Sequence, residues 1–307
     1  MLTSMNPANN KTIKSYTEMQ GEEISQIISQ ADEAFNSWKE TSFIHRTKLM
    51  HNAASVLRNN SEEYSLLMTT EMGKPIKQSR AEVEKCAWVC DYYADNAEKF
   101  LRDEIIKTEA SKSFVSYQPL GVILAVMPWN FPFWQVLRFA APNIMAGNAG
   151  LLKHASNVSG CALAIEDIFR KAGFPENLFR TLLVSSKNTS QVISHKKVQA
   201  VTLTGSVPAG KAVASLSGSL IKKTVLELGG SDPYIILEDA DLEQAAISCV
   251  TSRLINAGQS CIAAKRFIIV ESVYDQFEKL FIDFMSKKKM GDPLDEKNDL
   301  GPQTSYN

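Results

Sequence analysis

The sequence predicts an α/β fold: a helical layer, then a doubly wound parallel sheet, then a second and incomplete α/β unit. Three observations carry this. Compact apolar runs at 122–126, 149–152, 178–184, 198–204 and 224–228 alternate with helix-period stretches at 133–146, 158–172 and 207–217, and strands alternating with helices argue for parallel pairing through crossovers. The first hundred residues instead place apolar side chains at three- and four-residue steps, the mark of helix faces. After Gly229-Gly230-Ser231-Asp232-Pro233 the alternation resumes for only two strands and two helices.

Taken in order, Ile27, Ile28, Ala31, Ala34, Phe35 and Trp38 define the first helix face, and segments 46–58, 61–72 and 78–100 repeat the pattern. Gly73-Lys74-Pro75 ends the third helix, as a glycine followed by a proline does. Residues 105–117 offer two short extended runs around Ala110-Ser111-Lys112, a hairpin standing off the body. The alternating strands and helices of the sheet follow. Glycine and proline then concentrate at 229–233, a domain junction that divides the chain into residues 1–228, with 105–118 as an extension, and 229–307. The second unit holds strands at 234–237 and 266–270, a helix opening near Asp241, a helix at 274–287 and a terminal loop from 291. So small a sheet is expected to keep an unpaired edge and an uncovered apolar face.

Composition narrows the partners. A chain of 307 residues with 44% hydrophobic residues can bury one or two sizeable cores. Its 33 basic and 34 acidic residues leave no field to steer nucleic acid or an anionic membrane, so small molecules are the expected partners. Five scattered cysteines and no apolar signal core in residues 1–16 fit a reducing, cytoplasmic setting. The longest apolar stretches, such as 121–128, are too short to span a bilayer. Cys86 and Cys90, four apart on a helix, have no further ligand at metal spacing, and the four histidines are dispersed, so no metal site is expected.

The residues that can carry chemistry are few. Cys261, in Gly258-Gln259-Ser260-Cys261, has glycine and small or polar neighbours that let a substrate reach the sulfur, although a cysteine is more often a small buried hydrophobe. Glu227, in Val225-Leu226-Glu227-Leu228-Gly229-Gly230, is either the outward member of a strand or a carboxylate in a doubly buried one, where a raised pKa would suit it to activate water. Asn130 sits between Pro128 and Pro132 after an apolar strand, where two prolines can aim its amide in advance at a developing oxyanion; a structural loop asparagine is the plainer alternative. Gly205-Ser206 closes a strand and opens a helix, which makes a phosphate cradle of free amide hydrogens, a weak signal by itself. Lys153, at a strand end, can reach ribose or phosphate of the same nucleotide or be an ordinary surface lysine.

Pro128 to Pro132, Thr204-Gly205-Ser206, Glu227-Leu228-Gly229-Gly230 and Gly258-Gln259-Ser260-Cys261, in this order, resemble the aldehyde dehydrogenase superfamily. Glu71-Met72-Gly73-Lys74-Pro75 and Asp239-Ala240-Asp241-Leu242 extend the likeness over essentially the whole chain. Lys153-His154-Ala155-Ser156-Asn157 and the helix after Pro132 look most like the succinate-semialdehyde dehydrogenase branch. The resemblance implies a cofactor domain followed by a catalytic domain. It implies that Cys261 adds to an aldehyde to give a thiohemiacetal, that hydride transfer to the nicotinamide leaves a thioester, that Asn130 holds the oxyanion and that Glu227 activates the hydrolytic water. It further implies that Trp129, Lys153, Ser156, Gly205, Ser206 and Leu228 line NADP or NAD, and that Arg138 holds the distal carboxylate of succinate semialdehyde. Serine at 156, where NAD-preferring relatives carry a glutamate, removes a charge that would repel a 2′-phosphate.

Family members continue beyond the position of Asn307 with a glutamate for the nicotinamide ribose and a strand that joins subunits. Their absence is expected to reduce activity and stability and to leave the 105–117 hairpin without its partner strand, against the homo-oligomers of relatives. Two alternatives share the fold: an inactive remnant that at most binds nucleotide, and a cofactor-independent thiol hydrolase built on Cys261, Asn130 and Glu227.

Overall fold

In the computed structural model, which describes residues 1–305, the chain opens on an antiparallel hairpin of β1 (Leu2–Asn6) and β2 (Lys11–Tyr16). Residues 1–16 carry no apolar run that announces it. Only Leu2, Ser4 and Tyr16 of the two strands are buried, so the purely helical layer expected of the first hundred residues is corrected here.

Four helices follow: α1 (Gly21–Trp38), α2 (Phe43–Asn59), α3 (Ser61–Met72) and α4 (Ile76–Phe100). The Ser42 hydroxyl accepts from His45 N to start α2, and Gly73, with φ 81°, ends α3 in the left-handed conformation that glycine adopts without strain. Cys86 and Cys90 are fully buried on the inner face of α4, and burial pushes both thiols up. The 105–117 segment forms the expected hairpin, with β3 (Glu104–Ile105) antiparallel to β4 (Phe114–Val115).

The main sheet is parallel throughout, in the order β7-β6-β5-β8-β9, with β5 (Val122–Met127), β6 (Ala149–His154), β7 (Phe179–Thr181), β8 (Val198–Gly205) and β9 (Lys223–Leu228). Crossovers run through α5 (Trp134–Met145), α6 (Ser159–Lys171), the short α7 (Thr189–Ser194) and α8 (Val207–Ser219). The chain builds outward from β5 to β6 and β7, then returns to place β8 on the other flank of β5. That reversal opens a crevice at the carboxyl ends of β5 and β8, where sheets of this class bind ligands.

One apolar cluster joins the helical layer to this sheet, with Trp38, Phe133, Leu137, Leu124 and Ile165 among its fully buried members; each contributes about 1.5–3 kcal/mol by leaving water. A smaller cluster around Ile236, Ala246, Cys249 and Phe277 belongs to β10 (Pro233–Ile236), α9 (Leu242–Leu254), β11 (Arg266–Ile269) and α10 (Tyr274–Ser286). Residues 229–232, between the two clusters in sequence, are exposed. The two-stranded parallel sheet of β10 and β11 leaves Ile235 62% and Ile268 51% exposed, the uncovered face anticipated from its size. Among the described residues no helix is long and apolar enough to cross a membrane.

Candidate active site

Two loops and one strand end meet at the switch point. The first loop, Pro128 to Pro132, leaves β5 and enters α5, and its course is fixed from below. Glu82 on α4 accepts from Phe133 N and Trp134 N, both at 2.9 Å, so one carboxylate oxygen satisfies the orphan donors of the helix start and complements its dipole. The other oxygen pairs with the ammonium of Lys74. That ammonium is wholly buried, and its Nζ lies 3.9 Å from the centroid of the Phe131 ring. Burial pulls the Lys74 pKa down while Glu82 opposes the shift. In the same way Glu71 accepts from Gly160 N and Cys161 N at the start of α6 and from the hydroxyl of Ser4.

His154, at the end of β6, ties the loop from the side. Its Nε2 donates to Pro132 O at 2.9 Å while Nδ1 accepts from Ala155 N at 2.9 Å, the Nε2–H tautomer. Burial lowers its pKa from 6.5 to about 4. Between those values an unfolded chain binds a proton at His154 that the native chain refuses, so acidification from about pH 6.5 towards 4 costs about 1.4 kcal/mol of stability per pH unit. Urea unfolding midpoints measured from pH 7 to pH 4.5 should fall less steeply in His154→Gln than in the parent chain. Parallel curves would contradict this assignment.

The second loop leads from α9 to the thiol. Asn256, Ala257 and Gly258 all take left-handed backbone, with φ of 53°, 54° and 80°. For the two that are not glycine this costs on the order of 1–2 kcal/mol each, least for asparagine. Asn256 is fully buried. Its Nδ2 donates to Asn130 O at 2.6 Å, and its backbone N–H donates to Gln78 Oε1 at 2.9 Å. In return Asn130 Nδ2 donates to Gln259 O at 2.9 Å. Beyond Ser260, which is buried, Cys261 is exposed, and it is the one exposed thiol of the five, all of them free.

A cavity of about 460 Å³ receives Asn130, Glu227 and Cys261 together, with Trp129, Arg138, Gly205, Ser206 and Leu228 also in its wall. A second cavity of about 600 Å³ shares Gln135, Arg138, Ser260 and Cys261 with the first and extends past Phe131, Trp134 and Lys85. The sulfur therefore stands where two openings meet. Ser206 caps α8 by accepting from Ala209 N, and a Cβ on Gly210 would come within 2.6 Å of Leu228, so glycine is what lets α8 lie close to β9. Lys153 and Ser156 are outside this wall. Lys153 is buried at the end of β6, beside Val126 of β5, and its ammonium makes no hydrogen bond among the described residues. Ser156 is exposed on the turn that follows.

One expectation changes. The burial invoked for Glu227 is not found: β9 is the edge strand of the sheet, and the Glu227 side chain is 58% exposed. The position of β9 in the chain suggested a central strand, but strand order is a property of the crossovers and cannot be read from apolar content. Arg138 lies in the same wall and already has partners of its own. Its Nη2 donates to Thr204 Oγ1 at 3.1 Å and lies 3.8 Å from Glu227 Oε2.

Sequence reasoning passed over Asn256, Glu82 and Gln78. Asn256 lies two residues before the glycine of the cysteine motif, and an asparagine near a glycine is the available hint of left-handed backbone. Glu82 sits in a helix face that looks like any other, and nothing local marks it as buried.

The sequence profile of the aldehyde dehydrogenase family matches residues 1–307. Over 301 residues the chain is 53% identical to a protein of Synechocystis sp. named as a probable succinate-semialdehyde dehydrogenase [NADP(+)], covering 98% of this chain and 66% of that protein. It is 48% identical over 304 residues to succinate-semialdehyde dehydrogenase [NADP(+)] 1 of Mycobacterium tuberculosis, with the same coverage. The crystal structure of succinic semialdehyde dehydrogenase from Streptococcus pyogenes in complex with NADP+ superposes with a TM-score of 0.97 at 37% identity, over 99% of this chain and 67% of that one. The chain thus spans about two thirds of the length of the curated relatives it matches.

Proposed function

The chain belongs to the aldehyde dehydrogenase family, and we propose that it oxidises succinate semialdehyde to the carboxylic acid with NADP+ or NAD+ through a thioester on Cys261. The observation that carries the reading is the meeting of Cys261, Asn130 and Glu227 in one cavity at the switch point of the sheet. In this reading residues 1–228 hold the nucleotide and 229–307 bring the nucleophile to it, and five free cysteines suit a reducing cytoplasm.

The Cys261 sulfur adds to the aldehyde carbon. An amide NH₂ has two hydrogens, and since one from Asn130 goes to Gln259 O, the other is available to the oxyanion together with the Cys261 backbone N–H. Bound nicotinamide supplies the hydride acceptor. Glu227 then takes a proton from water as that water attacks the thioester, which releases the acid and restores the thiol. Exposure of Glu227 at the cavity wall gives it direct access to water.

The residues present fit a dinucleotide. Gly205 and Ser206 line the cavity and lead into the 13-residue α8, whose positive dipole end attracts phosphate. Lys153 is a buried cation, its pKa lowered by burial, with no hydrogen-bonded partner of its own, and a ribose hydroxyl or phosphate oxygen would satisfy it. Serine at 156 leaves room and charge for a 2′-phosphate. Relatives named for NADP(+) support the same preference. Initial rates with succinate semialdehyde and each nucleotide test the reading: aldehyde-dependent reduction with a higher kcat/KM for NADP+ is expected. A strong NAD+ preference would overturn the role of Ser156, and no reduction with either nucleotide would overturn the activity.

Arg138 supplies substrate selection. Two contacts leave several of its N–H donors for a distal carboxylate, and a hydrogen bond to a charged group contributes about 1.5–3 kcal/mol. Arg138→Leu should lower kcat/KM for succinate semialdehyde roughly tenfold to a hundredfold relative to a neutral aldehyde of similar length. Equal losses on both substrates would assign Arg138 to holding Glu227 alone.

A further inference from the structure

Three consecutive left-handed residues precede the nucleophile turn, and such backbone persists only where its surroundings over-determine it. Asn256 is where the constraints converge. Its N–H is held by Gln78 on α4, its carbonyl accepts from both Gln259 N and Gln259 Nε2, and its side-chain amide crosses to Asn130 O. The return bond from Asn130 Nδ2 to Gln259 O closes the exchange, so each loop donates to the backbone of the other. Asn256 is fully buried and belongs to the wall of neither cavity. From this reciprocal crossing we infer that Asn256 is a positioning residue: its side-chain amide locks the Cys261 loop to the Asn130 loop and so sets the spacing between thiol and oxyanion donor without touching substrate.

A plainer role would be that asparagine merely tolerates the left-handed backbone. The two roles separate on substitution, because glycine adopts that conformation more easily than asparagine yet cannot make the crossing bond. Asp at 256 keeps the shape and loses the Nδ2 donor. Amide hydrogen exchange on the intact 307-residue chain reads the outcome. Asn256→Gly and Asn256→Asp should speed exchange at least tenfold in residues 127–134 as well as in 255–262, whereas Ala257→Gly, which relaxes the neighbouring left-handed residue and leaves the crossing bonds in place, should change both segments less than twofold. Unchanged exchange in 127–134 for the glycine variant overturns the inference, as does equal loosening by Ala257→Gly. If one Asn256 variant fails to fold, the other decides; failure of both makes Asn256 a purely structural residue and also overturns it.

A catalytic arm rests on the proposed aldehyde oxidation: in Asn256→Gly, kcat should fall at least tenfold with KM within threefold. A parent chain without turnover would count against that activity and leave the exchange result to decide Asn256.

Discussion

Cys261→Ala is expected to lower nucleotide-dependent aldehyde oxidation by at least about 10⁴-fold, with no loss of folded protein. The size of the effect follows from covalent catalysis: without the sulfur there is no thioester, and what remains is binding and oxyanion stabilisation of a reaction that has lost its first step. No other cysteine can substitute, because Cys86, Cys90, Cys161 and Cys249 are buried. Stability should move by less than about 0.5 kcal/mol, as for most exposed positions, since Cys261 is exposed and donates no hydrogen bond. Initial rates and a thermal melt on the same sample check both halves. Residual activity above a tenth of the parent, in a protein that melts normally, would remove Cys261 from the reaction.

Glu82→Ala should be the most damaging single change to stability, at about 3–5 kcal/mol. It deletes the acceptor for Phe133 N and Trp134 N and leaves the ammonium of Lys74 buried without its counter-charge. Removal of one partner from a buried pair is worse than removal of both. The double variant Lys74→Met/Glu82→Leu should therefore recover much of the loss in urea unfolding, less about 1 kcal/mol for the missing helix cap. A double variant no more stable than Glu82→Ala would show that capping α5, and not the stranded charge, dominates.

The fold was legible wherever local periodicity and burial coincide. The strands from β5 to β8 and the crossover helices α5, α6 and α8 could be placed because a parallel sheet covered on both faces must be built from compact apolar runs; β9 was placed by its apolar content although it is exposed, and the short α7 was not anticipated. The hairpin of β1 and β2 escaped because its strands are mostly exposed. Cys261, Asn130 and Glu227 could be named from short motifs, each held by prolines or glycines that local chemistry explains. Their supports could not. Glu82 lies 51 residues from Phe133 and Asn256 lies 126 from Asn130, and no local pattern encodes a contact made by folding. The burial of Glu227 failed for the same reason: a strand becomes edge or centre only when the crossovers choose sides.

In the proposed mechanism the thiol of Cys261, served by Asn130 and Glu227, carries the acyl group from aldehyde to acid. A single turnover with succinate semialdehyde and NADP+, quenched in acid and digested for mass spectrometry, tests it most directly. The expected result is a succinyl group on the peptide containing Cys261, below one per NADPH formed in the parent because hydrolysis drains it, and approaching one per NADPH in Glu227→Gln, where hydrolysis is slowed. Reduced nucleotide formed with no acyl group on Cys261 in either protein, or an acyl group on another residue, would contradict it.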